Sequence, residues 1–300
     1  MSEFAETMDT VLITSVQPDG RLVRQALVRE SERVAGMVRD SGSLDGPVPG
    51  LEWTRAQLVA HLYAMCEAFA ATLRGEDFAG RFGTEFIGSF GTGPTLPEAV
   101  AAINARVVMN ASFPGTAAAA DALSSGAAAL LAAFDTHRDL RSRRPAPWYG
   151  PEVALPVGSL LALAVAEFLV HGYDLARAVG TDLRPSPATA ASSTAVAAAV
   201  MSEMLPRMLD ERSASGFTGS YEVRVRGGQR FVLRIADGRA WSEPAKGKGV
   251  NCVMSLSAYH ALLMGYGRLP VWRGIAAGKA WAFGRRPWLG LRFHDLFLTA

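Results

Sequence analysis

Apolar residues recur at helical spacing through the first two hundred positions and at alternate positions after about 212, so the chain predicts two architectures in series. In 20–40, Leu22, Ala26, Val28, Val34 and Met37 are interleaved with charges, which predicts a first helix; the Gly- and Pro-containing run "SGSLDGPVPG" breaks it. A second helix announces its own start, with Thr54 as N-cap, Gln57 three residues later as in a capping box, and Gly75 after the last apolar turn. A Gly-rich connection at 79–97 follows, long for a compact domain and therefore a candidate functional loop. Helices are predicted next at 97–111 and 116–136, and "RSRRPAPWYGPE" reads as a loop leading to the fourth bundle helix, 157–179, ended by Gly180. Helices of this length with one long connection describe a four-helix bundle.

A further helix at 187–210 bridges to "YEVRVRGGQRFVLRIADGRAWSE", where period-2 alternation with a Gly-Gly and an Asp-Gly turn predicts a β-meander. "CVMSLSAYHALLMGYG" reads as a short strand entering a helix, 269–283 as a strand and turn, and the chain from about 286 as a terminal helix. The expectation is a two-domain α+β protein: a helical bundle over 1–184, a linking helix over 185–211 and a small α+β domain over 212–300. Trp241, Trp272, Trp281 and Trp288 are expected in the core of that small domain and not as a stacking platform for bases. The chain has no internal repeat, Gly-rich phosphate loop or Walker motif.

Composition narrows the class. Among 300 residues, 49% are apolar and 19% charged, which excludes a disordered chain. The N-terminal stretch carries acidic residues where a secretory signal has basic ones, and the apolar run at 153–170 is interrupted by Pro156, Gly158 and Glu167, so it reads as a buried helix. Cys66 and Cys252 match no zinc or redox spacing. These features predict a cytoplasmic protein with no membrane partner. The net charge of +2 hides a polarity: 1–211 holds 16 Lys and Arg against 24 Asp and Glu, and 212–300 holds 14 against 4. The basic residues are spread through strand and turn patterns and form no compact run, which favours a cleft for anionic small molecules over nucleic-acid or membrane binding by the basic half.

The candidate chemistry lies in "AEFLVHGYDLARA", 166–178. Glu167 and His171 are four apart, about 40° around a helix, so they project from one face, and Asp174 continues the stripe. A carboxylate amid "LLALAVAEFLV" needs a cation. His61 shares a face with Leu58, Leu62 and Met65 in the helix begun by Thr54, and so points into the same bundle interior. A lone imidazole on an apolar face is ordinarily a hydrogen-bonded core histidine. Two imidazoles and a carboxylate with an open fourth position instead match a catalytic zinc site. Cys66 lies about 140° from His61 around its helix and is excluded as a ligand. Asp174 reads either as the partner that orients a ligand imidazole or as a solvated carboxylate near the helix end.

"LEWTRAQLVAHL" and, some hundred residues on, "AEFLVHGYDLARAVG" together make the chain resemble the mycothiol-dependent maleylpyruvate isomerase family, over about 17–180. The resemblance implies a DinB-like metal-binding four-helix bundle with zinc on His61, Glu167 and His171, and mycothiol as thiol cofactor. "RLPVWRGIAAGKAWAFG" is similar to the sterol-carrier-like α+β domain that often follows that bundle. Gln57 stands where many relatives carry Asp, and either can serve the cap.

The resemblance implies a bound thiolate that adds to the double bond of a small acidic electrophile; bond rotation and thiolate loss give cis to trans isomerisation, whereas retention gives a conjugate. Arg239 and Arg273, in turn-rich segments of the basic half, are the candidates for gripping substrate carboxylates, although most such arginines are ordinary surface residues. Tyr63 and Tyr173 follow the motif histidines by two residues and are expected to pack. His137, His260 and His294 read as solvent or helix-end residues. The alternatives to an isomerase or thiol transferase are a ligand-binding protein built on the sterol-carrier-like domain and a hydrolase using zinc-bound water. The chain is expected to be a monomer or homodimer.

Overall fold

The computed structural model describes residues 14–76, 95–245 and 249–298. Residues 1–13, most of the stretch that lacks a secretory signal's pattern, and most of the Gly-rich connection at 79–97 lie outside the described residues. The chain is mixed α+β, with a helical region first and a sheet region after it.

The helical region begins with α1 (Gly20–Arg39), whose N-cap Asp19 accepts hydrogen bonds from the backbone of Arg21 and Leu22. Val23, Leu27, Val34 and Val38 form its buried stripe. Helix α2 (Arg55–Arg74) starts with a reciprocal capping box: Gln57 N–H donates to Thr54 Oγ1 at 3.3 Å, and Thr54 N–H donates to Gln57 Oε1 at 2.9 Å. It ends at Gly75 with φ 73°, a left-handed conformation that glycine adopts without steric cost. Helix α3 (Leu96–Val108) opens with a second capping box, Thr95 with Glu98, and α4 (Thr116–Phe134) follows it. Helix α5 (Val157–Val179) is the central helix; it is buried along almost its whole length and ends at Gly180, φ 73°. By length and apolarity α4 and α5 could each cross a membrane, but 89% of the most apolar window of α5 is buried within the protein itself.

Four of these helices form a bundle in the ring order α1, α4, α2, α5, which puts α1 and α2 on opposite corners; α3 flanks α2. Where the sequence suggested only a loop, 143–156 forms a small antiparallel hairpin, β1 (Arg143–Pro145) with β2 (Ala154–Pro156). Its intervening turn stacks Trp148 on Phe69 of α2, ring centroids 4.7 Å apart. Strands of three residues, two of them ending in proline, show no alternation to read.

Helix α6 (Pro187–Met204) leads through a 3-10 turn at Leu205–Met208 to a five-stranded sheet. Its strands are β3 (Gly219–Val225), β4 (Arg230–Ala236), β5 (Arg239–Pro244), β6 (Cys252–Leu256) and β7 (Ala280–Phe283), in the order β5-β4-β3-β6-β7, with only β3 and β6 parallel. Helix α7 (Ala258–Gly265) follows β6 directly. Residues 271–276, expected as strand and turn, form helix α8 (Val271–Ala276), and the expected terminal helix shortens to α9 (Leu289–Arg292) and a 3-10 turn at His294–Leu296.

Register assigns the two sheet faces. Tyr221 and Val223, Phe231 and Leu233, Cys252 and Met254, and the alanines of β7 share the buried face. The expectation that four tryptophans fill this core is overturned: Trp272, Trp281 and Trp288 are exposed and Trp241 is half-buried. The cause is local. A Cβ on Gly290 of α9 would overlap the Cβ of Ala282, so the helix sits too close to β7 for large side chains, and strand alternation sends Trp281 and Phe283 to the other face.

By its contacts the chain divides into two compact units, Asp19–Ser193 and the segment ending at Pro18 combined with Thr194 onward. The division falls inside α6 and not at 184 and 212. The segment before Asp19 joins the sheet unit through long-range bonds that no sequence pattern announces: Thr14 N–H to the Ser242 carbonyl at 3.1 Å, and Val16 N–H to Ser202 Oγ at 2.8 Å.

Candidate metal centre

The site lies at the bundle end where α2 begins and α5 finishes. His61 is in the second turn of α2; Glu167, His171 and Asp174 run from the middle of α5 toward its C-terminus, and α5 packs against α2. Helical spacing stacks the three α5 side chains on one face, and the capping box fixes where α2 starts and thus which way His61 points.

Glu167 is the centre of the cluster. Its Oε2 lies 3.2 Å from His61 Nε2 and 3.3 Å from His171 Nε2. The other nitrogen of His171, Nδ1, is 3.0 Å from Asp174 Oδ2, and the Asp174 side chain is 1% exposed. The two imidazole rings meet edge to face with centroids 4.8 Å apart. Burial pushes the Glu167 carboxyl up, but hydrogen bonds from His171 and His61 outweigh it and hold the group well below the usual carboxylate range. For His171 burial acts downward, and its bonds to Asp174 and Glu167 prevail, so its pKa is raised.

One nitrogen from each histidine and one oxygen of Glu167 lie within 4.8 Å of one another. Ligands held tetrahedrally at about 2.0–2.1 Å from zinc stand roughly 3.3 Å apart. The Glu167 oxygen stands at that spacing from each imidazole nitrogen, 3.2 and 3.3 Å, while the three atoms together lie within 4.8 Å, so the donor set, two imidazoles and a carboxylate, is of the kind that binds a divalent cation. Asp174 is placed to keep the His171 proton on Nδ1 and turn the Nε2 lone pair toward the shared centre.

Sequence reasoning gave Trp53 no role. Its indole lies over both imidazoles, 5.1 Å from His61 and 5.9 Å from His171 by ring centroids. Trp53 immediately precedes the Thr54 cap, and that position was the available signal: the residue entering a helix folds back over its first turns. Two further bonds tie the same bundle end together, Arg55 to the Ala178 carbonyl at 2.7 Å and Arg177 to the Pro49 carbonyl at 3.2 Å.

The structure brings His61, Glu167, His171 and Asp174 together; Arg239 and Arg273 belong to the other unit, where both are exposed. Arg273 stacks on Trp272, 5.2 Å from the ring centroid. Tyr63 is partly exposed beside Gly126 of α4, and Tyr173 lies under the Arg177 guanidinium. His137 bonds the Leu73 carbonyl near the end of α2 at 2.9 Å, and His260 pairs with Ser257 Oγ at 3.0 Å. Both cysteines are buried, and burial raises the pKa of each thiol.

Fold and site together define a helical bundle carrying a His-Glu-His group of metal-ligating type, followed by an α+β region. Residues 25–176, half of the chain, match the family described as mycothiol maleylpyruvate isomerase N-terminal domain. The chain belongs to that family. Among solved structures it is similar to the crystal structure of the mycothiol-dependent maleylpyruvate isomerase, at 14% identity and TM-score 0.44, covering 88% of this chain and 95% of that one. It is also similar to the stereoselective inverting sec-alkylsulfatase Pisa1 from Pseudomonas sp., at 12% identity and TM-score 0.29; the match covers 48% of this chain and spans 27% of the sulfatase. No curated protein matches the chain.

Proposed function

We propose that this chain is an enzyme that holds zinc on His61, Glu167 and His171 and uses mycothiol to isomerise or conjugate an unsaturated acidic substrate of the maleylpyruvate type. The observation that carries the reading is one carboxylate oxygen set between two imidazole nitrogens at zinc-ligand spacing, in a chain of this family. Held by His61, Glu167 and His171, a zinc ion would supply a Lewis acid able to lower a thiol's pKa to neutral pH.

The chain's own residues support the rest. Asp174 orients His171, and Trp53 forms an apolar wall over both imidazoles that limits water at that side. Cys66 and Cys252 are buried thiols with raised pKa values, so a nucleophilic sulfur has to come from a separate molecule. For the substrate carboxylates Arg239 and Arg273 stay the candidates. If they serve, replacing either by Ala raises KM and leaves kcat nearly unchanged.

Metal analysis of the purified protein tests the reading directly. One zinc per chain is expected, and His61→Ala, Glu167→Ala and His171→Ala should each lose it; full zinc in all three variants refutes the site. Maleylpyruvate offered with and without mycothiol then tests the activity, expected only with the thiol. Zinc binding without thiol-dependent turnover would remove the isomerase reading and keep the metal centre.

A further inference from the structure

Ten large hydrophobic side chains are exposed among the described residues, and six of them fall between 272 and 291: Trp272, Ile275, Trp281, Phe283, Trp288 and Leu291. Scattered exposed apolar residues need no explanation, but such a concentration marks an interaction surface. Topology gathers them. Strand β7 is one of the two edge strands of the sheet, and α8 and α9 both pack on it. Each of those helices turns a glycine inward, Gly274 toward the Met264 sulfur and Gly290 toward Ala282. The pairs 272/275 and 288/291 stand three residues apart, so each helix presents an indole and an aliphatic chain together on its outer side. Trp281 and Phe283 leave β7 on the side away from Ala282 and α9, so exposed apolar groups flank this edge strand on both of its faces.

Charge selects the partner. From 268 to 292 the chain carries six Lys and Arg and no Asp or Glu. Edge-to-edge pairing of two copies through β7 would set Lys279 near Arg285 and Arg286 of the other strand, so a second copy is repelled and an anionic surface attracted. Nucleic acid fits poorly, because base stacking needs open ring faces. Here Arg226 lies 4.2 Å over Trp281, Arg224 5.5 Å over Phe283 and Arg273 5.2 Å over Trp272. Ile275 and Leu291, the latter 72% exposed, have no ring to offer at all. Indoles, aliphatic chains and guanidinium groups side by side match the headgroup boundary of a bilayer rich in anionic lipid.

We propose that the β7 edge, with the outer sides of α8 and α9, adsorbs reversibly to an anionic lipid bilayer. The sequence predicts no membrane partner because no segment reads as a span and the basic residues form no compact run; surface adsorption requires neither, since the fold can bring dispersed residues to one edge. The inference does not depend on the metal centre.

The test mixes the full-length protein with vesicles of phosphatidylcholine alone and of phosphatidylcholine with a third phosphatidylglycerol, and measures co-sedimentation and tryptophan emission. Binding is expected to the anionic vesicles only, weakening as salt rises, with emission moving to shorter wavelength. Trp272→Ser with Trp288→Ser, and separately Arg285→Gln with Arg286→Gln, should each weaken partitioning by roughly tenfold or more. Circular dichroism and metal content should stay at wild-type values, since all four side chains are exposed. No sedimentation with anionic vesicles at low salt overturns the proposal, as does equal binding by both double variants. Displacement of the vesicles by a single-stranded RNA that binds more tightly would also overturn it and make the patch a nucleic-acid surface.

Discussion

Replacing Asp174 asks most directly whether His171 is a metal ligand. The Asp174 oxygen lies 3.0 Å from His171 Nδ1, and with its side chain 1% exposed neither salt nor water screens the contact. A charge-assisted hydrogen bond of this kind is worth about 1.5–3 kcal/mol. Removing the carboxylate that orients a ligand histidine ordinarily weakens metal affinity about 10- to 100-fold, or roughly 1.4–2.7 kcal/mol. Asp174→Asn keeps an acceptor oxygen and loses the charge, so about tenfold is expected; Asp174→Ala loses both and belongs near a hundredfold. Competition for zinc against a chromogenic chelator at neutral pH measures the effect, with circular dichroism to verify the fold. Affinity within twofold of wild type for both variants would show that Asp174 orients no ligand.

The pH dependence of zinc stabilisation has a definite sign. The His171 pKa is raised, so in zinc-free protein its partners stabilise the fold below the ordinary imidazole pKa, and that contribution is lost as pH rises through the raised value. Zinc requires the neutral imidazole, so the gain in Tm on adding zinc should grow from mildly acidic to mildly alkaline buffer; a gain that shrinks refutes the assignment. Cys66 and Cys252 should react with a thiol reagent at neutral pH only after unfolding, measured as absorbance with and without denaturant. Gly290→Ala should destabilise the protein by about 1–3 kcal/mol through overlap with Ala282, and Ala282→Gly in the same chain should recover most of it; denaturant melts of the two variants give both numbers.

Local rules made much of the bundle legible. Thr54, Gln57 and Gly75 mark the ends of α2 because caps are satisfied within four residues of themselves, and the Gly-Gly and Asp-Gly turns mark the meander for the same reason. Where identity depends on a neighbour distant in sequence, the pattern was silent or misleading. The β1–β2 hairpin is too short to alternate, and the segment at 14–16 finds its partners at Ser202 and Ser242. Hydrophobicity alone places the tryptophans inside, whereas the close approach of α9 decides which side of β7 can be large. Glu167, His171 and Asp174 could be grouped from helical spacing. That His61 meets them requires α2 and α5 to be ring neighbours, and the position of Trp53 requires the path of the chain entering α2.

Since α1 and α2 stand on opposite corners of the bundle, residues 40–54 must cross its end diagonally before α2 can begin, and they arrive there with Trp53 above the two imidazoles. Three of the cluster's four side chains belong to α5 and the fourth to α2, so this crossing strap supplies a ceiling and none of the floor. Apart from Thr54, which caps α2, the strap contributes none of the four cluster side chains, so its other residues can change without replacing any of them. A bundle so arranged can keep one His-Glu-His cluster while changing what lies over it.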